Sequence, residues 1–163
     1  MIPMDISSLN MKHDTSYEFW KSYVRKEAER LFERAYMKSM AHRIINRLTG
    51  RSNRVCPLSQ TKHMKIVRNR HYGGIRTVPI ALIQGSENRN ADFDDHFHPL
   101  HKYLKSRWIG VATEMLLDHS LPPVELIRLD NLYFVRDGHH RVSAARAIGQ
   151  QEIEANVTTW ISN

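Results

Sequence analysis

One stretch constrains this chain more than any other. Leu132-Tyr-Phe-Val-Arg reads as a β-strand, Asp137-Gly138 follows it, and Val142 to Ile148 reads as a short helix closed by Gly149. A strand that feeds through a glycine into a helix presents free N–H groups and partial positive charge at one corner, which suits a phosphate. Gly138 lets the backbone approach a ligand closely. His139, His140 and Arg141 add donors there, and an arginine can hold an oxyanion with two parallel hydrogen bonds. Asp137 is placed to hold Mg²⁺ or to act as a base. The plain alternative is that Asp137 caps the helix and both histidines lie at the surface. Ala144 and Ala145 are small enough for this helix to pack tightly on a sheet.

The remaining periodicity gives a mixed set of elements. From Tyr17 to about Leu48 there is no Pro or Gly, and apolar residues recur at helical spacing in two sets, Trp20/Val24/Ala28/Leu31/Ala35 and Phe32/Tyr36/Met40/Ile44/Leu48. This predicts an amphipathic helix, whole or broken into two, with Gly50 at its end. Met64 to Arg70 is a weaker strand candidate, Gly73-Gly74 suits a hairpin turn, and Ile75 to Ile83 is a strand with Pro79 at an edge or bulge. Gly85 to Asp95 is a polar loop. Pro99 opens a helix that runs to about His119 and ends before Leu121-Pro122-Pro123. Val124 to Leu129 and Leu132 to Val135 form a hairpin about Asp130-Asn131, and Ile153 to Trp160 is a last strand.

Charge is split along the chain. The net charge of +7 over 163 residues resolves into −1 for residues 1–16, +11 for residues 17–76 and −3 for residues 77–163. Much of the excess lies in i, i+4 rows on the first helix: Arg30, Arg34 and Lys38, then Arg43, Arg47 and Arg51. Same-sign rows gain nothing locally unless an anion sits beside them. They are therefore candidate contacts to DNA or RNA, against the plainer reading of a solvated face. A hydrophobic fraction of 41% excludes a wholly disordered chain, and the length suffices for a core without metal or disulfide staples. No apolar run is long enough to span a bilayer and no secretory leader is visible, so the expected compartment is the cytoplasm. The single cysteine, Cys56 beside Pro57, lacks a paired His or Asp and is expected to be inert.

Asp92, Asp94, Asp95, His96, His98 and His101 form an acidic and histidine-rich cluster. Two histidines three apart suit a metal, but no further ligand pattern accompanies them. The cluster reads as capping acids and exposed histidines, and no metal site is assigned. Its acids, with Glu87, are placed to face the phosphate corner and supply Mg²⁺ or a base. Trp20, Trp108 and Trp160 are expected in the core.

The run Leu132 to Gly149 resembles the second motif of the ParB/sulfiredoxin superfamily, roughly Gly-Glu-Arg-Arg-x-x-Ala-Ala in partition proteins. Gly138, Arg141, Ala144 and Ala145 match it, while His139 and His140 stand where Glu and Arg are usual. Val78 to Ile83 is similar to the opening strand of that domain, which is followed by a ligand-loop arginine, here Arg89. Asp-Gly-His-His-Arg is itself similar to the motif of ParB-like serine kinases, which use a nucleotide phosphoryl donor. There is also similarity to small stand-alone bacterial ParB-like proteins. The resemblance covers about residues 75–160. Sulfiredoxins carry a catalytic cysteine directly before His-Arg, but this chain has His139 there, so sulfinic-acid reduction is not expected. The chain ends at Asn163, soon after the last strand, and a complete partition protein is not expected either.

The resemblance implies an α/β domain, a small mixed sheet flanked by helices, over 61–163, with 1–60 as a basic helical extension. It implies a nucleotide ligand, CTP or ATP/ADP, with Mg²⁺ as a companion ion. Nucleotide or phosphate would be held by Gly138, His139, His140, Arg141 and Arg89. Three functions follow: a nucleotide-binding protein associated with nucleic acid; a small-molecule phosphotransferase or phosphohydrolase using Asp137 and Glu87; or a protein-interaction module with a vestigial corner.

Overall fold

The computed structural model describes residues 15–50, 54–61 and 67–162. The expected first helix is one unbroken element, α1 (Thr15–Thr49). Ala28, Phe32, Ala35 and Ser39 recur along one side of it and are buried. Phe32 meets Trp108 edge to face at 5.5 Å. Beyond Ser39 no residue of the helix is fully buried, although His42 still meets the loop at 94–98. Met40 and Ile44 are exposed, and Leu48 is 83% exposed, so the expected apolar face finds no partner there among the described residues. Trp20 lies outside the core as well. It packs edgewise on Phe19 and Tyr23 of its own helix, because the core-facing stripe begins only at Ala28.

Six strands form one mixed sheet: β1 (Cys56–Pro57), β2 (Val67–Pro79), β3 (Ile83–Ser86), β4 (Val124–Leu129), β5 (Leu132–Asp137) and β6 (Glu152–Ser162), in the order β1-β3-β5-β4-β6-β2. The β4–β5 hairpin is as expected, turning at Asp130 with φ +55°. No hairpin forms at Gly73-Gly74. Instead β2 is a single strand along the edge, antiparallel to β6, with a register break between Tyr72 and Ile75. The eleven-residue β6 offers pairing to both halves of β2, so the two glycines are absorbed as a bulge, with Gly74 at φ +75°. The expected strand Ile75 to Ile83 is cut after Pro79 by a single 3₁₀ turn, Ile80–Leu82. Arg146 holds that turn by donating to the carbonyls of Ile80 at 3.1 Å and Ile83 at 2.6 Å. The chain then re-enters the sheet as β3, parallel to β5.

Two further helices are α2 (Lys105–Leu116) and α3 (His139–Ile148). α2 starts later than Pro99 predicts, because Pro99 pairs with Phe93 in a short bridge and a 3₁₀ turn, Lys102–Leu104, intervenes. α3 lies between the sheet and the α1–α2 pair. Val142 belongs to a core of sheet residues including Val78, Val124, Val135 and Val157, while Ala144 belongs to a second core with Phe32, Phe93 and Trp108. Trp160, Phe134, Ile127 and Leu58 form a third cluster. Each buried Val, Leu, Ile or Phe among them is worth roughly 1.5–3 kcal/mol of transfer free energy. Residues 54–61 also join the body, Val55 in the first core and Leu58 in the third, so the stretch read as an extension shares the packing of 61–163.

Candidate anion-binding site

The strand–glycine–helix corner forms as the sequence predicts. β5 ends at Asp137, Gly138 takes φ +93°, and α3 begins at His139. A Cβ on Gly138 would lie 2.6 Å from Val124 Cγ1, so both the conformation and the space demand glycine. No side chain caps α3: its N-cap is Gly138, and Asp137 does not perform that role. The first-turn amides therefore keep their charge for something outside the helix.

Both histidines are buried, His139 at 3% exposure and His140 at 6%, which corrects the alternative of surface residues. His139 stacks on Phe93 and its Nε2 meets Ser86 Oγ at 2.7 Å. His140 meets the same phenyl ring edge to face, and its Nδ1 is sheltered from solvent without a hydrogen bond. Burial pushes the pKa of each down from 6.5 to about 4, helped by Arg89 beside His139 and by Arg107 and Arg89 beside His140. Both are neutral imidazoles near pH 7.

A cleft of about 50 Å³ opens over this corner, lined by Arg89, Arg107 and Val111 on one side and by residues 137–141 on the other. Arg89 stands in the loop after β3 at φ +31° and pairs with Asp92 at 3.2 Å. That loop is shaped by Ser86, whose hydroxyl contacts both the carbonyl and the amide of Asn88. Arg107 comes from α2, and sequence reasoning missed it. Its approach depends on α2 docking on α3, where Trp108 Nε1 donates to Ser143 Oγ at 2.8 Å. No local pattern around Arg107 signals this.

Other expected residues take different positions. Arg141 donates to the carbonyls of Pro122 and, at 2.9 Å, Pro123, and to Asp137 Oδ2 at 3.0 Å. Its guanidinium is thus largely committed to the protein while it lines the cleft. Asp137 stands at the mouth with its carboxylate 64% exposed. Glu87 is held by Arg136 at 2.9 Å and does not line the cleft. Arg30, Arg34, Lys38, Arg43 and Arg47 are all exposed on α1, with Arg30 paired to Glu27, and Arg51 lies outside the described residues. At 100° per residue the two basic rows point about 160° apart, so one straight duplex touches one row and not both. The acidic and histidine-rich cluster divides. Asp92 turns to Tyr103 and Arg89, and His101 bonds the Ala91 carbonyl and stacks on Tyr103. Asp94, His96 and His98 gather elsewhere. Cys56 is exposed and free.

No family model and no curated protein matches the chain. The solved structure of sulfiredoxin from Arabidopsis thaliana is similar to part of it, at 17% identity and a TM-score of 0.40, over 51% of this chain and 82% of that one. Among the described residues no helix is long and apolar enough to cross a membrane.

Proposed function

We propose that the cleft over α3 binds the phosphate of a nucleotide, and that the chain is a ParB-like nucleotide-binding protein associated with nucleic acid through α1. The observation that carries the reading is the meeting of two guanidinium groups, Arg89 and Arg107, with an uncapped helix start over two neutral histidines. A charged hydrogen bond from each arginine contributes about 1.5–3 kcal/mol, and the helix start about 0.3–1 kcal/mol more. The neutral imidazoles matter because two further cations would repel the arginines. Uncharged, they leave the arginines unopposed, and His139 spends its ring contact on Ser86. Asp137, exposed at the mouth, is where the Mg²⁺ of a metal–nucleotide would be met.

Calorimetry with CTP, ATP and ADP, with and without Mg²⁺, tests the reading. Arg107→Ala should weaken the preferred ligand ten- to a hundredfold, the equivalent of one charged hydrogen bond. No binding of any of the three, or equal affinity in Arg107→Ala, rejects it. The exposed carboxylate of Asp137 also favours a second reading, phosphoryl transfer to a small hydroxyl substrate. In that case Asp137→Asn retains nucleotide but abolishes turnover.

A further inference from the structure

The loop between β3 and α2 buries a carboxylate. Asp94 is fully buried; its Oδ1 accepts the amides of His96 at 3.0 Å and His98 at 2.7 Å, and its Oδ2 meets Nδ1 of the His98 ring at 3.0 Å. Burial alone would raise this carboxyl, but the His98 ring and the two amides outweigh it and hold the pKa below the ordinary value. Asp94 is a fixed anion just under the surface.

A third imidazole arrives from a distant element. His42 of α1 places Nδ1 3.3 Å from Asp94 Oδ2, yet that nitrogen makes no hydrogen bond and is sheltered from solvent. The His42 ring lies 4.7 Å from that of His96 and 5.3 Å from that of His98. His42, Asp94, Asp95 and His96 each put one ligand atom within 4.8 Å of the others. A separation of 3.3 Å without a hydrogen bond is what two ligands of one tetrahedral ion show: with metal–ligand bonds of about 2.0–2.1 Å, neighbouring donors stand about 3.3–3.4 Å apart.

We propose that His42, Asp94 and His96 bind a first-row divalent transition ion of the Zn²⁺ type, with Asp95 as the fourth ligand. Two imidazoles and two carboxylates suit such an ion better than Mg²⁺ or Ca²⁺, which prefer all-oxygen sets. The side chains of His96 and Asp95 are half exposed and bonded to each other, Nδ1 to Oδ1 at 2.9 Å; ligation exchanges that one surface contact for two bonds to the ion. His98 is a positioning residue: its ring fixes the Asp94 carboxylate. The site shares no residue with the anion cleft and does not depend on it. Its consequence is mechanical. Ser39, whose hydroxyl reaches the Pro99 carbonyl at 2.9 Å, is the last buried residue of α1, and His42 lies one turn further on. An ion there would tighten the contact that His42 already makes between α1 and the loop.

The test uses the tag-free full chain, stripped with a chelator and titrated with Co²⁺ by visible absorption and with Zn²⁺ by calorimetry. One equivalent should bind with micromolar or tighter affinity, with the intense visible band of tetrahedral Co²⁺. His42→Ala and His96→Ala should each lose at least tenfold, and His101→Ala, on the other side of the loop, should lose nothing. Zn²⁺ should raise the Tm of the unaltered chain by mass action and leave that of His42→Ala unmoved. If His42→Ala does not fold, His96→Ala alone decides, since its side chain stands in solvent. Binding no tighter than millimolar, or wild-type affinity in a folded His42→Ala or His96→Ala, leaves a hydrogen-bonded cluster and overturns the proposal.

Discussion

Acidification from about pH 7.5 to about pH 5 should destabilise this protein through the first turn of α3. His139 and His140 have an unperturbed pKa of 6.5, and in the folded chain both sit at about 4. The neutral forms are the ones the fold accepts. Above pH 6.5 neither state takes up protons, and the contribution is fully present. Between 6.5 and 4 the unfolded chain binds protons that the folded chain refuses, so stability falls with pH, and below 4 the loss is complete. At about pH 5 each histidine costs about 2 kcal/mol, and the pair up to about 4 kcal/mol. For a domain of this size that corresponds to a Tm lower by roughly 4–16 °C. Asp94 does not account for the effect: its depressed pKa protects stability above about pH 4, and that contribution fades only at still lower pH. Urea unfolding followed by tryptophan fluorescence reports the change, since Trp108 is fully buried beside α3. His140→Asn should be less stable at neutral pH but lose about half of the pH dependence. Added phosphate should narrow the gap in the unaltered chain, because an anion in the cleft stabilises an imidazolium. Equal urea midpoints at the two pH values, or an undiminished gap in His140→Asn, would refute the reasoning.

Gly138→Ala should cost about 2–4 kcal/mol, combining left-handed strain with overpacking against Val124, and a wild-type denaturation midpoint would contradict it. Arg141→Ala should cost about 1.5–3 kcal/mol, because it releases the Pro122 and Pro123 carbonyls; amide exchange at Val124 should accelerate, and unchanged exchange speaks against the clamp. If α1 binds duplex DNA, its affinity should fall with salt at a log–log slope of about −0.9 per phosphate contacted. Replacing Arg30, Arg34 and Lys38 together, or Arg43 and Arg47 together, should then flatten that slope in one case only; equal flattening by both sets argues against a single straight duplex.

The corner at 137–141 was legible because its determinants are local. Gly138 and Gly149 bracket a short run of helix formers, and the glycine between strand and helix is needed for a conformation set by its own φ. The β4–β5 hairpin and the long α1 were legible for the same reason. What escaped the sequence depends on contacts between distant segments. β3 exists as a separate strand because Arg146 grips the turn before it, and β2 runs straight through two glycines because β6 is long enough to pair with both halves. Arg107 enters the cleft only through helix packing, and His42 joins Asp94 across more than fifty residues of chain. The histidines were expected at the corner and stand there, but their protonation state follows from burial under Phe93, which composition does not reveal.

The edge position of β2 sets the order in which the molecule can be built. Among the described strands, β2 pairs with β6 alone, and the register joins residues 67–79 to residues 152–162. A chain emerging from the ribosome makes β2 long before its partner exists. The β4–β5 hairpin closes first, since its strands are adjacent, and α3 has β5 to follow. β2 waits with its backbone groups turned to water until β6 docks on β4 and offers its outer edge. Closing so wide a loop draws on chain entropy, which delays the pairing of β2 relative to the local hairpin. During that interval β2 is an unpaired strand open to pairing with another chain, and its exposed Arg70 and Arg76 act as charged gatekeepers at that edge.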